Sequence, residues 1–207
     1  MGSEIIFIVA LIIAVVAIYW IVLKSSAEKI ATQYQLLAER FGLELNQSAE
    51  KMRGYIRSEP SVIGTYRGRE MSISVPGKGL QNTRQIESVL KLELKSSQLS
   101  AQLTAAGPMG GLRQRDSGGQ ARRKSGDERF DHKVDVRTDQ GGALAAILTE
   151  ERRKWLTDTL KKSKATLYLG GGNLAYARLG LIANEAIRKD FEAAAEFLCD
   201  LAESIEA

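Results

Sequence analysis

The stretch Val62-Ile63-Gly64-Thr65-Tyr66-Arg67-Gly68-Arg69-Glu70-Met71-Ser72-Ile73-Ser74-Val75 decides the architecture. Two alternating runs, Val62 to Arg67 and Arg69 to Val75, flank Gly68, the pattern of a β-hairpin whose turn is supplied by a glycine. In the second run Met71, Ile73 and Val75 share a face, because strand side chains alternate with a period of two. Pro76-Gly77-Lys78-Gly79 then breaks the chain.

The same alternation extends downstream. Ile86, Leu90, Leu92 and Leu94 share a face, with Glu87, Lys91, Glu93 and Lys95 opposite. After Ser96-Ser97, Leu99, Ala101 and Leu103 alternate with Gln98, Ser100 and Gln102. A further strand is predicted where Phe130, His132, Val134 and Val136 point one way and Asp131, Lys133, Asp135 and Arg137 the other. Ala165 to Leu169 and Asn173 to Leu179 bracket Gly170-Gly171-Gly172 as a second hairpin. Strands apolar on one side and polar on the other fit an antiparallel sheet covered on a single face.

Helical periodicity separates these runs. Ser25 to Phe41 carries Ile30, Tyr34, Leu37 and Phe41 as a narrow stripe, with Ser25-x-x-Glu28 as a capping-box pattern and Gly42 as terminator. Packing of that stripe on its own domain is the preferred reading; a homodimer seam is the alternative. Leu144 to Lys162 is helical, with Thr149 as a cap for a second segment and Glu150 and Glu151 in its first turn. Asn184 opens a final helix in which Ile187, Phe191, Ala194, Leu198, Leu201 and Ile205 recur at spacings of four and three.

Ahead of all this lies Ile5 to Leu23, nineteen uncharged and almost wholly apolar residues. As a helix the run is about 28 Å long, close to the ~30 Å hydrocarbon core of a bilayer. A cleaved signal peptide would have a basic start and a shorter apolar stretch, whereas this segment begins with Glu4 and no base. Tyr19 and Trp20 near its end and Lys24 just past it suit interfacial anchors. Bases follow the span (Lys24, Lys29, Arg40) and none precedes it, so the positive-inside rule puts a short N-terminal tail outside and the C-terminal domain in the cytoplasm. One cysteine, Cys199, makes no internal disulfide.

The expected fold is therefore α+β: an N-terminal transmembrane helix followed by a mainly antiparallel sheet of about seven strands, with helices on one face. Residues 1–24 are the anchor, 25–42 an amphipathic stalk or first helix, and 43–207 a soluble domain with a mobile basic loop over 107–126. The chain's net charge is +4. That loop holds Arg113, Arg115, Arg122, Arg123 and Lys124 against the single acid Asp116. The basic excess thus sits in one loop, which argues against a nucleic-acid-binding face. The loop is read as a solvated insertion, as a contact for anionic lipid headgroups, or as a regulatory site at Ser125.

No catalytic, cofactor-binding or metal-ligating set emerges. Gly170-Gly171-Gly172 and Gly77-Lys78-Gly79 lack the flanking pattern of phosphate-binding loops. One histidine (His132) and one cysteine exclude a zinc site of the usual Cys/His kinds. His132 is expected packed on the apolar face of its strand, and Cys199 buried as a small hydrophobe.

The strings Ile63-Gly64-Thr65-Tyr66-Arg67-Gly68-Arg69 and Gly126-Asp127-Glu128-Arg129-Phe130-Asp131, followed by Val134, Val136 and Leu148-Thr149, resemble a widespread group of bacterial membrane-anchored proteins. That group pairs hydrophobic segments with a small domain carrying a "G-x-Y-x-G-R" hairpin and a "G-D-x-x-F-D" strand entry. The basic insertion falls outside that pattern. The resemblance implies a bacterial source and an α+β domain over roughly residues 40–205, and brings no catalytic residues.

The combined reading is a single-pass membrane protein displaying a binding or scaffold domain. Its partners are the bilayer through residues 5–23, anionic headgroups, and a protein partner or a second copy, with no nucleic acid. The alternative is a membrane-surface enzyme using Asp127, Asp131, Arg67 and Arg69.

Overall fold

A computed structural model describes residues 2–46, 60–76, 86–95, 99–107, 122, 125 and 127–206. One helix, α1 (Gly2–Phe41), runs unbroken from the apolar segment into the domain. Ser25 therefore lies inside the helix and caps nothing. The helix stops where Gly42 adopts φ +65° and the Leu43 amide donates to the Ala38 carbonyl at 2.9 Å. That left-handed residue closed by a six-to-one hydrogen bond is the usual glycine helix stop.

Four antiparallel strands follow: β1 (Glu44–Asn46), β2 (Ser61–Tyr66), β3 (Arg69–Ser74) and β4 (Glu87–Glu93). Next come β5 (Ala101–Ala105), a single helical turn α2 (Glu128–Asp131), β6 (Val134–Thr138), α3 (Gly141–Ile147), α4 (Glu150–Ser163), β7 (Thr166–Gly170), β8 (Asn173–Leu179) and α5 (Glu185–Ile205). The sheet has eight strands in the order β1-β2-β3-β4-β8-β7-β5-β6, antiparallel throughout. The β7–β8 hairpin is thus inserted between β4 and β5, which are consecutive in sequence.

Two differences from the sequence reading have local causes. β1 adds an eighth strand; three residues are too few to show a period. Phe130 and His132 do not begin β6. Asp127 instead caps α2 by accepting from the amides of Arg129 (2.9 Å) and Phe130 (3.2 Å), and His132 is its exposed C-cap. The packed strand histidine expected there is absent. Lys24 is exposed, as are Phe7 to Val22, including Tyr19 and Trp20. The break at Gly77-Lys78-Gly79 and the link at Ser96-Ser97 lie outside the described residues.

One face of the sheet carries Val62, Ile73, Leu90, Tyr176, Leu167, Leu103 and Val136 in register across β2 to β6. These belong to one apolar cluster with Tyr34 and Leu37 of α1, Leu156 and Leu160 of α4, and Phe191 and Leu198 of α5. The expected stripes of α1 and α5 are therefore core. Tyr176 meets Phe191 edge-on at 5.3 Å, and Trp155 stacks on Phe197 at 3.9 Å. The opposite face is mixed, with Val89, Ala175 and Ala177 under Tyr168 as a small second cluster.

Helices α1 and α5 run parallel. Arg188 donates to Gln33 at 3.2 Å near their beginnings, and Arg40 lies 3.9 Å from Glu196 further along. Helix α4 runs the other way, with Lys162 3.4 Å from Asp190 and Arg152 donating to the Asp200 carbonyl at 3.1 Å. The domain thus has an anchor end, where α1 enters, and a distal end, where the β2–β3 and β7–β8 turns lie.

The second half of α1 is core, so the truncation point decides folding. A chain starting at Ser25 is expected to be soluble and to unfold cooperatively in urea, and one starting at Gly42 is expected not to. Within the former, Tyr34→Ala should cost about 3–5 kcal/mol, the loss for a large buried aromatic ring.

Candidate functional site

Polar side chains converge at the distal end, where the β2–β3 hairpin meets the last turns of α5. Arg67 and Gly68 form a two-residue turn with φ of 49° and 73°, the left-handed pair that matches strand twist. Arg67 adopts this conformation although it is not glycine, and its guanidinium lies 2.7 Å from Asp200 and 2.8 Å from Glu203. The Tyr66 hydroxyl donates to Glu196 at 2.9 Å, and its ring meets Phe41 edge-on at 4.9 Å.

One strand further in, Arg69 donates two hydrogen bonds to Glu206, at 2.7 and 2.8 Å. Both side chains are withdrawn from solvent, at 6% and 12% exposure, so this pair is screened far less than those of Arg67. The Lys95 amide also donates to Glu206, at 2.6 Å. Arg69, with the Lys95 amide, holds the Glu206 carboxyl down to about 2. A carboxylate so firmly ionised is a structural anchor; a proton-transfer group working near neutrality needs a pKa near the working pH. Cys199 lies fully buried on the same helix, and burial pushes its thiol up to about 11, leaving it a packed hydrophobe.

Asp127 and Asp131, the carboxylates of the enzyme alternative, have local duties elsewhere. Asp127 caps α2 and lies 3.7 Å from Arg153. Asp131 accepts the Ser125 amide at 2.8 Å, and the Ser125 hydroxyl accepts the Asp127 amide at 3.2 Å. A phosphate on Ser125 would therefore face two carboxylates, which opposes the regulatory reading. Arg67 and Arg69 share no printed contact with Asp127 or Asp131 among the described residues. The four groups are not gathered around one cavity. Asp127 does border an open depression with Glu128, Arg129, Glu150 and Arg153. Among the described residues no three His, Cys, Asp or Glu side chains are placed to hold a metal.

Of the basic loop, Arg122 is described. It forms an antiparallel bridge with Arg137 on the free edge of β6, and its side chain lies 2.9 Å from Asp135. Arg113, Arg115, Arg123 and Lys124 lie outside the described residues. At the N-terminus, the exposed residues Phe7 to Val22 form an apolar cylinder with nothing packed on it. A helix apolar all round is suited to lipid. Among the described residues it is one helix long and apolar enough to cross a membrane. Tyr19 and Trp20, each 64% exposed, end this cylinder, followed by Lys24.

No family model matches the chain, and no curated protein matches it. In fold it is similar to a solved structure, the mycobacterial trehalose monomycolate transport factor A, TtfA. The two superpose with a TM-score of 0.54 at 12% identity, over 83% of this chain and 93% of that one. At such identity the likeness speaks to architecture alone. It agrees with the resemblance of the two sequence strings to bacterial membrane-anchored domains.

Sequence reasoning singled out Arg67 and Arg69 but missed their partners, Asp200, Glu203 and Glu206. Those acids were read as a solvated face, and no local pattern links residues so far apart. The pair's pH dependence follows from sign. The Glu206 carboxyl titrates near 2 in the folded chain against 4.5 unperturbed, so the unfolded chain takes up the proton first as pH falls. The pair's stabilisation is whole above about pH 4.5 and is lost as pH falls through about 2. Glu206→Gln is expected to cost about 1–3 kcal/mol at pH 7, as for charge-assisted hydrogen bonds. Denaturant titrations from pH 7 downward should show the gap from wild type closing below pH 4.5. His132→Ala should change stability by less than about 0.5 kcal/mol in the same assay, as at other exposed sites.

Proposed function

We propose that this chain is a membrane-anchored scaffold whose α+β domain, held at the cytoplasmic surface of a bacterial membrane, binds a partner belonging to a membrane transport process. The observation that carries this reading is α1. Its first half is an unpartnered apolar cylinder and its second half supplies Tyr34, Leu37 and Phe41 to the domain core. A span built into the core does more than tether; it fixes the domain's attitude to the bilayer.

Two further observations support a binding role. The polar groups that an enzyme would need are engaged in caps and ion pairs between elements. The protein of similar fold is named a transport factor, and a scaffold in such a process needs no reaction centre of its own. Lys24 and Lys29 beyond the span favour the cytoplasmic side by the positive-inside rule.

The chain is expected to stay in the pellet when membranes are washed with alkaline carbonate. Cross-linking in intact membranes should capture an integral-membrane protein with the full chain. Capture should persist when residues 5–23 are replaced by an unrelated apolar helix of equal length. It should weaken when three glycines are inserted after Lys24, which uncouples the domain's attitude from the span. Release by carbonate removes the anchor reading, and capture that ignores the glycines removes the role assigned to the continuous helix.

A further inference from the structure

The arrangement of charge along the axis set by α1 goes beyond the site above. At the distal end the exposed acids gather: Glu150 and Glu151 open α4, and Asp200 and Glu203 lie near the end of α5. At the anchor end the exposed bases gather. Helix α4 runs toward that end and finishes with Lys161 and Lys162, followed by Lys164. Lys164 stands two residues before Thr166, which pairs with Thr104 of β5. Across β5, the Lys133 carbonyl accepts the Ala106 amide at 2.8 Å. Lys133 and Lys164 therefore flank the same strand end, and all four lysines are exposed.

Two structural explanations account for part of this. The C-terminus of a helix carries about half a negative charge, which one lysine offsets. Asp190 lies 3.4 Å from Lys162 but is bound more closely by Arg178, at 2.6 Å. A basic surplus remains at the edge nearest the bilayer.

The distance to the bilayer follows from α1. Leu23 ends the apolar segment, and Ile30, the first buried residue of the domain core on that helix, comes seven residues later. Seven helical residues span about 10 Å. Headgroups occupy about 5–8 Å outside the hydrocarbon. The anchor end of the domain is thus within one Debye length, about 8–10 Å, of the headgroup charges. Juxtamembrane lysines at that range are attracted to an anionic leaflet.

We propose that Lys133, Lys161, Lys162 and Lys164 form a docking edge that rests on the anionic phospholipid headgroups of the leaflet from which α1 emerges. This rests on the anchor reading and adds a second, electrostatic contact that sets the domain's tilt.

The test uses the full chain in nanodiscs of phosphatidylcholine, with or without about a third of phosphatidylserine, pulsed with an amine-acylating reagent and read by mass spectrometry. In the anionic discs at low salt the four lysines are expected to react roughly threefold more slowly than in neutral discs. High salt should erase the difference. Lys154, exposed nearer the distal end of α4, is the internal control and should react alike in both. Equal rates at the four lysines in the two lipids, or equal slowing at Lys154, would overturn the docking edge. A carbonate wash of proteoliposomes separates the two failures. Chain that stays embedded with unprotected lysines defeats the docking edge alone, whereas chain that washes off defeats the anchor as well.

Discussion

The structure depends on one constraint: α1 has to satisfy two solvents without a break. Inside the hydrocarbon every backbone amide and carbonyl must be paired within the segment, so the stretch to Leu23 has no alternative to a helix. Beyond it, Ile30, Tyr34, Leu37 and Phe41 bury one stripe on the sheet while Lys29, Gln35 and Glu39 stay in water. No glycine or proline separates the two halves before Gly42. The helix therefore changes environment without changing direction.

The distal end gives the complementary restraint. A parallel pair such as α1 and α5 has no short connection to hold it, and the last helix is reached only after the whole sheet. Tyr66, Arg67 and Arg69 bind the final turns of α5 to the hairpin that α1 also touches through Phe41. The exposed Arg67 contacts contribute little each. The Arg69–Glu206 pair is the strong one, because its two hydrogen bonds are shielded from water.

Much of this was legible in the sequence because its signals are local. The Gly68 turn, the alternation of Met71 and Ile73 and the stripe through Phe191, Leu198 and Leu201 each depend on residues within a few positions of one another. Where the reading failed, the deciding contact was short or distant. β1 has too few residues to display alternation, and Phe130 happens to fall two residues from both His132 and a true strand residue's neighbour, so a capped helical turn passed for a strand. The capping pattern at Ser25 was overridden by apolar helix upstream. The hairpin's bond to α5 joins residues more than a hundred positions apart, which no window along the chain can reveal. The insertion of β7–β8 between β4 and β5 was hidden for the same reason.

That insertion has a consequence for synthesis. Strands β5 and β6 join the meander only through β7 and β8, so until residues 166–179 emerge they have no partner strand on that side. The stripe of α1 waits longer still, since α5 is made last. At ribosomal rates of about 5–20 residues per second, the helix is complete on the order of ten seconds before its final partner. Through that interval Tyr34, Leu37 and Phe41 sit uncovered beside the membrane. The nascent chain is then exposed to premature contacts with neighbouring chains, and fast insertion of the first helix gives it no protection from them.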